Sequence, residues 1–150
     1  MTINFSEPGK VIFTMYDYIN NIIDSLPDDM KGSSVSPAGD HLFKMDKGSA
    51  AKLNKKEAQQ LFHHYTAQLL FLAKRARPDL QTAVAFLCTR VHEPDDDDFK
   101  KLVQVMKYLQ ASPHLLLILS LDQTGNIYWS VDAAFLTVQS DMRGHTREHT

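Results

Sequence analysis

The residues best equipped for chemistry in this sequence are carboxylates and cations, and most of them come in runs. Asp95, Asp96, Asp97 and Asp98 form the densest run. Carboxylate oxygens are the ligands that hard cations take. Four consecutive acids on a helix point around the cylinder, however, and cannot all reach one ion. They follow Glu93-Pro94, where a helical pattern opens, and acids in a first turn complement the helix dipole. That structural role is sufficient for them. Asp28 and Asp29 form a second group. Paired carboxylates at a tight turn between strands can hold Mg2+ ions for phosphoryl transfer. Here the pair follows Pro27 at the end of a helical pattern, the wrong setting for that chemistry.

Asp132 differs in kind. It is a lone acid in the middle of a strand pattern, with Trp129, Val131 and Phe135 as neighbours. At the centre of a sheet it would be a candidate Mg2+ carboxylate, since nuclease sites hold metal with acids projecting from strands. On the solvent face of a hairpin it is ordinary, and the residue pattern alone favours that. His145 and His149 have the spacing of zinc ligands on a helix, but no helical period surrounds them. His63 and His64 are adjacent and face different directions. Cys88 is the only cysteine and lies on an apolar helix face, where it reads as a small core residue. No glycine-rich phosphate loop and no Ser-His-Asp or Cys-His arrangement is recognisable. Lys74, Arg75 and Arg77, with Arg90 and Lys107, could form a patch for phosphates. Complementing the negative end of a helix explains the first three equally well.

The elements that must position these groups follow from periodicity. Residues 11–15 (VIFTM) read as a short strand and 17–26 as a helix stopped by Pro27, although a helix starting near Val11 fits almost as well. Residues 1–9 are polar and contain Pro8-Gly9, a turn signal. Residues 27–56 are rich in Gly, Ser, Pro, Asp and Lys. They read as a long exposed connection, partly disordered, that adds little to a core and separates two units. From Lys55 the pattern is helical. Leu61, Tyr65, Leu69 and Leu72 share one face, and Phe62, Leu70 and Phe71 widen it to nearly all round. Pro78 and Asp79 suit the start of the next helix, which runs to about Val91. A third helix carries Phe99, Leu102, Val103, Met106 and Leu109 and ends at Ala111-Ser112-Pro113. Connections this short predict that consecutive helices pack antiparallel. Residues 115–121 (LLLILSL) and 127–134 (IYWSVDAA), around a Gly125 turn, predict a C-terminal hairpin. The fold class expected is α+β, mostly helical.

Composition sets outer bounds. The 150 residues carry a net charge of −2, so any nucleic-acid contact must be local. Apolar residues at 43% and charged residues at 23% match a soluble globular protein. One cysteine allows no intrachain disulfide and fits a reducing, intracellular setting, cytoplasmic or nuclear. No apolar run approaches the roughly 18 residues of a spanning helix, and the start lacks a signal-peptide layout, so no membrane role is expected.

Several blocks, in order, carry a family resemblance: HHYTAQLLFLAKRARPDLQTAVAFLCTRV, EPDDDDFKKLVQVMKYLQAS, IYWSVDAAF and DMRGHT. Together they resemble the Pol polyprotein of copia-type retrotransposons, closely over residues 62–146. GKVIFTMYDYINNIIDSLP and VSPAGDHLF resemble the segments just upstream. The resemblance implies four regions. Residues 1–26 would end the polymerase region and 27–56 would be a flexible linker. Residues 57–112 would form a three-helix thumb and connection unit, and 113–150 the truncated start of a ribonuclease H-like domain. It implies that Asp132 is a remnant ribonuclease H carboxylate, catalytic and metal-binding only in a complete domain. It places Lys74, Arg75, Arg77, Pro78 and Asp79 in a helix–turn–helix block beside the RNA/DNA template–primer, with the cations as nucleic-acid-binding candidates. The intact family enzyme, an RNA-directed DNA polymerase with ribonuclease H, uses Mg2+. The polymerase Asp-Asp hairpin motif is absent here, and only one ribonuclease H acid is matched. A fragment inactive alone, needing no cofactor of its own, is therefore expected. The alternatives are a non-catalytic helical interaction or nucleic-acid-binding module, or a non-functional relic.

Overall fold

A computed structural model describes residues 1–44, 56–122, 124–126, 134–138 and 143–145. The chain is mixed α+β and mostly helical, as the patterns predict. It divides into two compact units, Met1–Ser120 and Leu121–Thr150.

The first unit opens with a hairpin that the polarity of residues 1–9 concealed. Strand β1 (Thr2–Asn4) pairs antiparallel with β2 (Lys10–Thr14), Ile3 opposite Phe13. Gly9 closes the turn with φ of 76°, a left-handed conformation that glycine adopts without steric cost. Helix α1 (Tyr16–Asp24) follows and buries Ile19 and Ile22. The Ser25 hydroxyl donates to Ile22 O at 2.8 Å, satisfying a carbonyl at its C-terminal end.

Three further helices complete the core. Helix α2 (Lys56–Ala73) buries Phe62, Tyr65, Thr66, Leu69 and Leu72, the three-and-four spacing of a single stripe. Its second half is not buried all round, as its apolar residues had implied: Phe71 is 41% exposed. A 3-10 turn (Pro78–Leu80) leads into α3 (Gln81–Arg90), which packs on both α2 and α4 (Asp96–Ala111). The Tyr65 hydroxyl donates to Ser25 O at 2.8 Å and ties α2 to the end of α1.

Residues 28–44, expected as part of a spacer, pack instead against α4. A 3-10 turn (Asp28–Met30) buries Met30 completely, and Leu42 is 5% exposed. The backbone here has no ladder, so long side chains of α4 supply its partners. Gln110 Nε2 donates to Met30 O at 3.1 Å, and Lys101 Nζ donates to Lys44 O at 2.8 Å. At Gly32 the backbone approaches α4 closely, and an added Cβ would lie 3.0 Å from Lys107 Cε. Composition alone reads such a segment as solvated, because its partners lie far away in sequence. Residues 45–55 are outside those described.

The apolar run after α4 also takes a distant partner. Strand β3 (Leu117–Ser120) pairs antiparallel with β2, Lys10 opposite Ser120, giving the strand order β1-β2-β3. The hairpin expected with 127–134 lies, apart from Ala134, outside the described residues. In the second unit, β4 (Ala134–Val138) and β5 (Arg143–His145) pair antiparallel with a register irregularity. The polar tail had given no sign of β5.

Met30 separates a packed segment from a spacer. Met30→Ala should lower stability by about 2–5 kcal/mol, the cost of emptying a buried site. Urea unfolding of the two forms measures it, and an unchanged midpoint would contradict the packing described.

Candidate nucleic-acid interface

The sequence places three cations at the end of α2, and the fold sends them in different directions. Arg77 turns inward and is 1% exposed. Its Nε and Nη2 donate to Asp79, the shortest bond being 2.8 Å. Its Nη1 donates to Ser112 O at 2.7 Å and its Nη2 to Ser112 Oγ at 3.0 Å. Ser112 is the C-terminal cap of α4, and its hydroxyl donates to Tyr108 O at 2.7 Å. Arg77 therefore complements a helix dipole, but that of α4 and not α2. Its guanidinium is also 5.6 Å from the Tyr108 ring centroid. With these donors engaged inside the fold, Arg77 presents nothing to a phosphate. The phosphate-contact expectation for Arg77 is corrected accordingly.

Asp79 is shaped by the same contacts. Burial pushes its carboxyl pKa up, but the Arg77 hydrogen bonds and charge, with a Tyr108 hydrogen bond, outweigh this and hold it below the usual value of 3.8.

Lys74 and Arg75 face solvent. Arg75 lies over Phe71, with its guanidinium carbon 3.7 Å from the ring centroid, and Nη1 donates to Phe71 O at 3.4 Å. Phe71 in turn meets Tyr18 of α1, centroids 5.2 Å apart at 48°. These rings border an open groove of about 480 Å³ lined by Tyr18, Gln60, His63, His64, Ala67, Gln68 and Phe71. None of these is a carboxylate. Burial raises the Tyr18 pKa against the opposing charge of Arg75, so the phenol stays protonated and donates to Gln68 O at 3.4 Å. The amide oxygen of Gln68 has no hydrogen-bond partner.

This groove was missed in the sequence because Phe71 was assigned to the apolar packing surface of α2. A legible signal existed. Gln60, His64, Ala67, Phe71 and Arg75 recur at steps of three and four opposite the buried stripe of α2.

The remaining candidates resolve into structure. Asp95 accepts from Asp98 N at 2.8 Å while Asp95 N donates to Asp98 Oδ2 at 3.1 Å, a reciprocal capping box on α4. Asp98 pairs with Arg90 at 2.8 Å and Asp97 with Lys101 at 2.8 Å. Asp28 pairs with Lys31 at the surface. Cys88 is half-buried, and burial pushes its thiol pKa up against the opposing charge of Lys74, which leaves it a poor nucleophile. Asp132 and His149 lie outside the described residues, and His145 lies in β5. Among the described residues, no three His, Cys, Asp or Glu side chains are placed to share a metal ion. No helix among them is long and apolar enough to cross a membrane.

The two arginines should respond unequally to mutation. Arg77→Ala should cost about 3 kcal/mol or more, and Arg77→Lys should not rescue it, because an ammonium cannot reproduce the fork. Arg75→Ala should cost under about 1 kcal/mol, the range of an exposed cation–ring contact. Asp79 adds a pH signature. Its lowered pKa contributes stability fully present above its unfolded value and lost as pH falls through its folded value. Urea midpoints against pH should show that acid loss, and Asp79→Asn should remove it. Equal costs for the two arginines would contradict the inward placement of Arg77.

No protein-family model, no curated protein and no solved structure matches this chain.

Proposed function

We propose that the chain is the thumb-and-connection portion of a copia-type reverse transcriptase polyprotein, and that it holds template–primer without extending or cutting it. The resemblance of residues 62–146 supplies the family. The observation that carries the holding role is the divided basic end of α2. One arginine braces the helices from inside. Lys74 and Arg75 stay at the surface, with Arg75 at the border of a groove free of carboxylates. In a chain of net charge −2, that is a local site for a polyanion.

A second reading, a non-catalytic interaction module, is favoured by the exposed apolar residues of the three-stranded sheet. Ile118 is 49% and Leu119 52% exposed. Apolar area of this kind marks contact surfaces.

Fluorescence anisotropy with an RNA–DNA hybrid distinguishes them. Two phosphate-contacting cations should give a log K against log salt slope of roughly −2. Lys74→Ala and Arg75→Ala should each flatten it by about 1. Primed RNA template with Mg2+ should show no nucleotide incorporation by the chain alone. Binding indifferent to salt and to both changes would overturn the holding role and leave the interaction module. Clear incorporation would overturn the claim that the chain does not extend.

A further inference from the structure

We infer that the groove between α1 and α2 seats an unpaired base of single-stranded nucleic acid, with the adjoining phosphate toward Arg75. The inference rests on the nucleic-acid reading above and narrows it from backbone to base. Four observations converge on it. First, Tyr18, Phe71 and Arg75 form a contiguous series, 5.2 Å between the ring centroids and 3.7 Å from the Phe71 centroid to the guanidinium carbon. Bases stack on aromatic rings and on guanidinium planes alike. Second, Gln60, His63, His64 and Gln68 line the groove with side-chain donors and acceptors, the groups that read base edges.

Third, the Gln68 amide oxygen lacks a partner in the free protein. An unpaired buried acceptor is a cost to the fold, and pairing it with a base amine would relieve that cost. Fourth, Lys74 and Arg75 are exposed just past the C-terminal end of α2, and Arg75 lies against Phe71 of the groove, so they offer charge for a phosphate beside it. The volume of about 480 Å³ falls within the range of pockets that hold small planar ligands. A peptide would find neither a stretch of free strand edge nor a deep apolar slot among the lining residues.

The test compares a short oligo(dA) with an abasic strand of equal length, using the full chain. Oligo(dA) should bind about tenfold more tightly, the scale of base stacking. Arg75→Lys keeps the charge and removes the plane. It should bring the two strands to near-equal affinity. Gln68→Met should weaken oligo(dA) several-fold while not lowering the urea midpoint, an outcome that a merely structural glutamine would not give. If Tyr18→Leu fails to fold, Arg75→Lys and Gln68→Met still decide the matter. Equal affinity of the unmodified chain for oligo(dA) and the abasic strand overturns the base seat and leaves hybrid binding standing. Binding of neither strand nor hybrid overturns both readings.

Discussion

The burial of the Arg77 guanidinium is the constraint on which the helical unit depends. Removing a cation from water is costly unless its hydrogen bonds and charge are matched inside. Here they are matched from two sides: by the carboxylate of Asp79 in the 3-10 turn before α3, and, at the end of α4, by the carbonyl and hydroxyl of Ser112 and the ring of Tyr108. The backbone N–H of Arg77 meanwhile donates to Leu72 O, in the last turn of α2. One residue thus fixes where α2 stops, how α3 begins and where α4 ends. Around this junction Leu72, Ala76, Leu80 and Leu109 are all buried. Apolar packing supplies the bulk of the cohesion, and the arginine sets the relative positions.

Much of this was legible from residue types, and the boundary of legibility has a physical cause. Period and capping are local properties. They located α2, α3 and α4, and they assigned Asp95 to Asp98 to a helix opening, where Asp95 and Asp98 cap each other. Distant partners are not local properties. Nothing near Met30 announces that Gln110 will serve its carbonyl, and nothing near Leu117 announces that Phe13 will lie opposite. The same limit explains the misplaced Arg77. From sequence, Arg75 and Arg77 are two cations two residues apart at a helix end. Only the arrival of Ser112 distinguishes the one drawn inward from the one left outside.

That division has a bearing on function. The buried brace and the exposed basic surface are built from neighbouring residues, yet they do not compete for side chains. Arg77 and Asp79 neutralise each other within the fold, while Lys74 and Arg75 keep their charge available. Phe71 mediates between the two roles. It is carried on α2, and its exposed ring meets the Arg75 guanidinium carbon at 3.7 Å from the centroid, which restricts the freedom of that cation.

The strand order carries a last consequence, for the sequence of events in folding. Strand β2 joins a hairpin formed at the very start of the chain to β3, which follows all four helices. The helices can form on local contacts, whereas the β2–β3 pairing must wait for the closure of nearly the whole first unit. Closure entropy rises slowly with length, about 0.6 kcal/mol per doubling, so the strand is held at equilibrium even though it arrives late. With its outer residues Ile118 and Leu119 half in water, it has little apolar burial to keep it closed. The sheet should therefore act as a latch that opens ahead of the helical core. Amides of β3 are expected to exchange with solvent before those of Leu69 and Leu72, and the reverse order would show that the sheet and helices melt as one.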